Sequence, residues 1–221
     1  QGAPIVPIGH KLLFKEYNCF LNIGGIANIS FKQDEQYIAF DVCAANRVLN
    51  MLVNEKGLQY DDEGKIAATG KVNEALLQQL NALDYYQQPF PKSLPNSFGT
   101  DTVFPMIKDA TISTEDALRT YVEHIALQIE RVFRNSKFVI RNSKLLVTGG
   151  GTLNKFLVER LAELLIEKRM EIVVPDKKLI QYKEALVMAL IGVLRWREEV
   201  NVLSSVTGAL QNSIGGALWL G

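Results

Sequence analysis

A chain of 221 residues with 48% hydrophobic side chains can bury a real core, as one large domain or two small ones. Lysine plus arginine and aspartate plus glutamate stand at 24 each, so no bulk charge is available to hold a nucleic-acid backbone or an anionic membrane, and a small metabolite is the better partner. Cys19 and Cys43 lack CxxC spacing and are too few for a disulfide framework, no apolar run reaches the roughly 20 residues a bilayer requires, and the composition reads as cytoplasmic.

In chain order, the apolar run Cys19–Ile23, the pair Gly24-Gly25 and a second run over 26–31 predict a hairpin. A polar turn over 32–36 leads to a third strand over 37–42, which makes an antiparallel meander. Val48, Leu49, Leu52 and Val53 recur at helical spacing and predict a helix over 44–56, stopped by Gly57. The segment 58–106 carries Pro89, Pro91, Pro95 and Pro105 and reads as a loop-rich insertion facing a cleft, with one short helix over 73–83.

Ser113 and Asp116 stand at capping-box spacing before Leu118, Tyr121, Val122, Ile125, Ile129, Val132 and Phe133, which predicts an amphipathic helix. A buried strand over 144–148, the turn Gly149-Gly150-Gly151, a helix over 153–167, a strand over 171–174 and a helix over 184–198 complete the order. Strand, helix, strand implies parallel neighbours, and the whole predicts an α/β fold: a mixed sheet with helices on both faces.

Two glycine clusters carry the candidate chemistry. At the hairpin tip, Gly24 and Gly25 let backbone N–H groups approach a phosphate, and Asn22 and Asn28 flank them as side-chain donors. The competing reading is a plain tight turn. Gly149, Gly150 and Gly151, with Asn154, follow a buried strand and open a helix, where an anion or a flat nucleoside is accommodated. Glycines at such a turn also serve geometry alone, and the spacing is neither the Walker pattern nor GxGxxG. Together, a hairpin phosphate loop followed by a strand-GGG-helix loop is the arrangement of the actin, Hsp70 and hexokinase superfamily.

The stretch Asn22-Ile23-Gly24-Gly25-Ile26-Ala27-Asn28 resembles a motif of the anhydro-N-acetylmuramic acid kinases. Gln1-Gly2-Ala3-Pro4 is similar to the end of that family's Gly-Gly-Gln-Gly-Ala-Pro motif. Tyr60-Asp61 with Gly64, Ala67, Ala68 and Gly70, then Pro91-Lys92-Ser93, Glu184-Ala185 and Ser205-Val206-Thr207-Gly208-Ala209, agree in order. The resemblance implies an actin-like (RNase H-like) lobe spanning 1–221 of a two-lobed, homodimeric kinase that uses ATP and Mg²⁺ to open and phosphorylate an anhydro amino sugar. It also implies that Gly24, Gly25 and Asn28 face the phosphates, Gly149 to Gly151 the nucleotide, and Asp41, Asn46 and Glu184 the sugar. The family's base, an aspartate upstream of the Gln-Gly-Ala-Pro motif, and its Gly-Thr-Ser-x-Asp-Gly stretch are not in this sequence. The chain is therefore expected to be a C-terminal half without a catalytic base or metal ligand of its own, inactive alone.

Two departures stand out. Asp41-Val42-Cys43-Ala44-Ala45-Asn46 replaces Asp-Thr-Gly-Pro-Gly-Asn, so Ala44 and Ala45 are expected to hold a backbone approach away. Leu94-Pro95-Asn96-Ser97 follows Pro91-Lys92-Ser93 where the family has Thr-Gly-Arg-Glu. Another anhydrosugar such as levoglucosan, or a non-catalytic ATP-binding role, therefore stays open; a nuclease of the RNase H-like fold does not fit, because Asn22 stands where a metal-binding acid belongs. Glu184 also reads as simple dipole support in the first turn of its helix. His124 is expected on the surface, His10 has no nucleophile partner by spacing, and Cys43 reads as a small buried thiol.

Overall fold

The computed structural model describes residues 5–34, 36–134 and 143–219. Gln1-Gly2-Ala3-Pro4 lies outside them. Strands β1 (Cys19–Ile23), β2 (Ile26–Gln33) and β3 (Gln36–Ala44) form the predicted meander, and β4 (Lys144–Thr148) and β5 (Glu171–Val173) join it in one sheet of order β3-β2-β1-β4-β5. The β1–β2 and β2–β3 pairs are antiparallel; β1–β4 and β4–β5 are parallel. This is the mixed sheet that the sequence predicts.

Both faces are covered, and the period of two along each strand divides the side chains between them. Cys19, Leu21 and Ile23 of β1 enter the larger core with α2 (Asn46–Asn54), α7 (Thr114–Arg134) and α8 (Lys155–Leu165). Phe20 points the other way and meets Leu146, Ile8 of α1 (Pro7–Leu13) and Leu194 of α9 (Lys177–Trp196) in a smaller core. No helix among the described residues is long and apolar enough to cross a membrane.

The helix α7 begins as the sequence predicts: Asp116 N donates to Ser113 Oγ at 3.1 Å. Only half of a capping box forms, because Asp116 Oδ1 accepts instead from Lys71 N at 2.7 Å. The helix is buried on nearly every side, and this corrects two expectations. The 58–106 segment is largely helical: besides the expected short helix, here α4 (Glu74–Asn81), it forms α3 (Lys65–Thr69), α5 (Asp84–Gln87) and the start of α6 (Phe104–Asp109), and these lay Leu76, Leu80, Tyr86 and Ile107 into the larger core. His124 is consequently interior, 0% exposed, not a surface residue. Its Nδ1–H donates to Asn81 Oδ1 at 2.7 Å, and its ring stacks on Tyr121 at 5.5 Å. Periodicity alone could not show this, because the cover comes from distant residues, Asn81 near the end of the predicted short helix and Tyr86 just beyond it.

Glu123 on the same helix is buried between two guanidinium groups. Arg160 donates to both of its oxygens at 2.8 Å and Arg119 to one at 2.9 Å, tying α8 to α7. Burial pushes the Glu123 carboxyl up, but these hydrogen bonds outweigh it and hold it below its ordinary value. Glu123→Gln is expected to cost about 2 kcal/mol in urea unfolding, since charge-assisted bonds are lost while both arginines keep partial access to water. An unchanged midpoint would mean that the arginines simply re-solvate.

Candidate functional site

The two glycine clusters, more than a hundred residues apart in sequence, are adjacent in space. The β1–β4 pairing sets Asn22 opposite Thr148, so the hairpin turn and the triple-glycine turn leave the sheet side by side. They are in direct contact. A Cβ on Gly149 would stand 2.6 Å from the Ile23 carbonyl oxygen, and Gly149 has φ +88°, which side chains rarely adopt. A Cβ on Gly151 would collide with the Ile23 side chain. These two glycines therefore have purely structural reasons to be there.

Gly150, Gly24 and Gly25 do not. A Cβ on Gly150 would meet nothing closer than 3.7 Å, and none closer than 3.4 Å at Gly24 or 3.6 Å at Gly25. Neither hairpin glycine has positive φ, so the mirror-image two-residue turn that favours Asn-Gly or Gly-Gly is not the reason for the pair. Their effect is to leave backbone bare. Beside Gly25 lies the side chain of Arg47, an exposed cation braced by donation from Nη1 to the Asn96 carbonyl at 2.9 Å. The sequence reading did not single it out; an arginine in the first turn after Asn46 was the available signal.

The departed segment over 41–46 lies beneath the hairpin tip. Ala45 N donates to Gly25 O at 2.8 Å, Asn46 N to Gly24 O at 3.0 Å, and Asn46 Nδ2 to Ile23 O at 3.1 Å. Ala44 and Ala45 are buried at 2% and 0% exposure, so their methyl groups fill the interior and do not stand in the open face. Asn46 also abuts the sites of Gly150 and Gly151, which clamps both turns to one side chain. Asp41 is differently placed. Its Oδ2 accepts from Leu94 N at 2.9 Å and from Ser93 Oγ at 3.3 Å, anchoring the loop that also differs from the family pattern. Lys92 of that loop donates to Tyr85 O at 2.7 Å and sits 4.3 Å above the Tyr85 ring; burial, then the Arg131 charge, lowers its pKa to about 8.

Asn154 is the N-cap of α8: its Oδ1 accepts from Leu157 N at 3.0 Å. A 3-10 turn, Gly150–Leu153, intervenes between the glycines and α8, so the glycines do not open the helix directly. Cys43 is fully buried and burial raises its thiol pKa, as expected of an inert thiol. Among the described residues no group of three or more His, Cys, Asp or Glu is arranged to hold a metal ion.

On the α1/α9 side of the sheet, Asn22 and Asn28 face a cavity of about 80 Å³, walled by His10 and Ser30 and closed by Lys183 and Glu184 of α9. The helix starts at Lys177, capped by Asp176 Oδ1 accepting from Leu179 N at 2.8 Å, seven residues earlier than the sequence reading. Glu184 is therefore two turns into α9, where the dipole of the first turn no longer explains it. It is exposed at the rim of the cavity. His10 does have a serine partner, Ser30 Oγ at 2.8 Å from Nδ1, and stacks on Phe20 at 3.9 Å. Its Nε2 is buried with no hydrogen-bond partner among the described residues, and burial followed by the Lys183 charge lowers its pKa to about 3.

Comparison with known proteins adds the family context. The family model described as anhydro-N-acetylmuramic acid kinase matches residues 1–221. Curated proteins of that name are similar: one from Aliivibrio fischeri is 38% identical over 73% of this chain and 45% of its own length. One from Hydrogenovibrio crunogenus is 31% identical over 99% of the chain and 60% of its own, and one from Mannheimia succiniciproducens 34% over 95% and 59%. The chain thus spans about half to three-fifths of the length of these relatives. Among solved structures, the activator of the 2-hydroxyisocaproyl-CoA dehydratase from Clostridium difficile with bound ADPNP aligns at a TM-score of 0.48 and 18% identity, over 78% of this chain and 59% of that one.

Proposed function

The chain belongs to the anhydro-N-acetylmuramic acid kinase family, and from that premise we propose that it forms the C-terminal, nucleotide-binding lobe of a two-lobed, actin-like cytoplasmic sugar kinase. The observation that carries this reading is the bare backbone of Gly24, Gly25 and Gly150, gathered at one end of the sheet with no steric demand for glycine at any of the three. The Gly24 N–H is already spent on Ile26 O at 3.2 Å, so the backbone that suits the β- and γ-phosphates of ATP is that of Gly25 and of the exposed Gly150. Asn22 and Asn28 supply side-chain donors, and Arg47 offers a cation at the hairpin turn. Mg²⁺ enters with the nucleotide as its counter-ion.

The balanced reaction joins three reactants. The oxygen of a water bonds to C1 of the anhydrosugar as the C1–O6 bridge breaks, O6 takes the γ-phosphoryl group, and ADP leaves. The water's proton passes to a base that this chain does not supply. Its own residues position: Glu184 accepts from a sugar hydroxyl or amide N–H at the cavity rim, Asn46 fixes the two glycine turns in register, and Asp41 holds the loop over 92–94 beside them. Positioning and charge neutralisation are the main work in phosphoryl transfer. A homodimer is part of the same proposal, and sedimentation of the full-length protein tests it.

The direct assay incubates the full-length protein with ATP, Mg²⁺ and anhydro-N-acetylmuramic acid or levoglucosan and weighs the product by mass spectrometry. The expected product is N-acetylmuramic acid 6-phosphate, gaining one water and one phosphoryl group, with no product from this chain alone. Phosphorylation of levoglucosan instead would reassign the sugar. ATP binding without turnover of either would leave a binding role only.

A further inference from the structure

Lys183 has no place in the family reading, and its surroundings are unusual for a lysine. A lysine that covers apolar surface keeps its ammonium in water. Lys183 is 4% exposed, and its Nζ is turned inward to donate to Thr148 Oγ1 at 2.5 Å. Among the described residues no carboxylate pairs with it. The neighbouring His10 is neutral, Asn22, Asn28 and Ser30 carry no charge, and Glu184, next on α9, faces the rim. An ammonium buried with no carboxylate in contact is costly: burial lowers its pKa to about 8, and the nearby Glu184 charge offsets this only in part.

The cavity against it explains the cost. At about 80 Å³ it is far smaller than the roughly 300 Å³ of the smallest ordinary ligand pockets, but it accommodates a single carboxylate or phosphoryl group. Thr148 joins it to the glycine site: its Oγ1 lies 3.5 Å from Asn22 Oδ1, and Gly149 follows directly.

We propose that Lys183, held on Thr148 in the cavity between α1, the hairpin and α9, binds an anionic oxygen of the ligand and is a specificity-determining residue of this site. The inference rests on the kinase reading, which offers two sources of that oxygen: a phosphate of the nucleotide, or the carboxylate that makes the muramic sugar an acid. An anion there puts a negative charge in direct contact with the ammonium, and the adjacent Glu184 accepts from hydroxyl or amide donors of the same ligand. The pair thus reads a molecule that is anionic at one point and a hydrogen-bond donor at another.

The test uses the full-length protein and calorimetric titration of three probes: a non-hydrolysable ATP analogue with Mg²⁺, anhydro-N-acetylmuramic acid, and its neutral counterpart anhydro-N-acetylglucosamine. Lys183→Met keeps the length and apolar body of the side chain, and is expected to lose about tenfold or more affinity for one anionic probe while the neutral sugar binds as before. Loss confined to the nucleotide assigns the phosphate; loss confined to the muramic sugar assigns the carboxylate. Lys183→Arg recovers part of the loss. In the wild type, binding at a pH near that of half-protonation takes up a proton, seen as a heat that varies with buffer, and this needs no variant. Equal affinity of wild type and Lys183→Met for both anionic probes, or equal losses for all three, overturns the inference alone. A wild type that binds neither nucleotide nor sugar sinks the kinase reading and this inference with it.

Discussion

Gly149→Ala is expected to destabilise the protein by about 3 kcal/mol and lower its melting temperature by about 6–12 °C, whereas Gly150→Ala, one residue on, leaves stability within about 0.5 kcal/mol. The difference follows from what a methyl group would meet. At position 149 it lands 2.6 Å from the Ile23 carbonyl on a backbone with φ +88°, so both strain and collision oppose it. At position 150 it meets only the Asn46 amide at 3.7 Å. The second variant then isolates function: with the fold intact, a methyl on the open face is expected to weaken nucleotide binding several-fold by holding the ligand off the backbone. Thermal melts and nucleotide titrations of the pair decide the matter. A Gly150→Ala protein that binds like the wild type would mean that the triple-glycine turn serves the β1–β4 junction and nothing else.

The second large effect is acid lability above the range where carboxylates titrate. His10 and His124 are both buried neutral, with pKa values lowered from 6.5 to about 3, His124 by burial alone and His10 by burial and then by Lys183. A group whose folded pKa lies below its unfolded value binds more protons when unfolded, so stability is full above pH 6.5 and falls as the pH drops toward 3. At a pH of about 5 each histidine is expected to cost about 2 kcal/mol relative to neutral pH, or about 4 for the pair. Glu123 does not confuse this window. Its carboxyl is held below the ordinary 4.5, so the stability it contributes is lost only below that value. Urea unfolding at a pH of about 7.5 and about 5 measures the difference, and His124→Gln is expected to remove about half of it. A slope unchanged by that substitution would show His124 able to take its proton in place.

What could be read in the sequence was what depends on local pattern. The short apolar run Cys19–Ile23 before Gly24-Gly25, and the helical spacing of the apolar residues Leu118 to Phe133, marked their elements because both signals lie within one strand or helix. The five strands and their succession along the chain followed; their order in the sheet did not. What escaped depends on contacts between distant segments. His124 is interior because Asn81 and Tyr86 fold over it from a proline-containing stretch without a long apolar repeat. Glycines 149 and 151 are required by Ile23, not by their own turn. Lys183 was visible in principle, since it stands four residues before the buried Val187 and so on the inward stripe of α9, where a lysine is out of pattern. The helix boundary drawn too late, at 184, hid it.

The order β3-β2-β1-β4-β5 also sets a timetable for synthesis. β1 finds one partner at once, because β2 begins three residues after β1 ends, but its other edge waits for Leu145 to face Cys19. At roughly 5–20 residues per second, that edge stays open for roughly 6–25 s on the ribosome. Cys-Phe-Leu-Asn-Ile is wholly apolar on one face, has Phe20 on the other, and carries no charge or proline to discourage a stray strand. The central strand that later aligns both glycine turns is thus, while the chain is being made, its most adhesive segment, and slow translation between α2 and β4 would favour aggregates seeded by the hairpin.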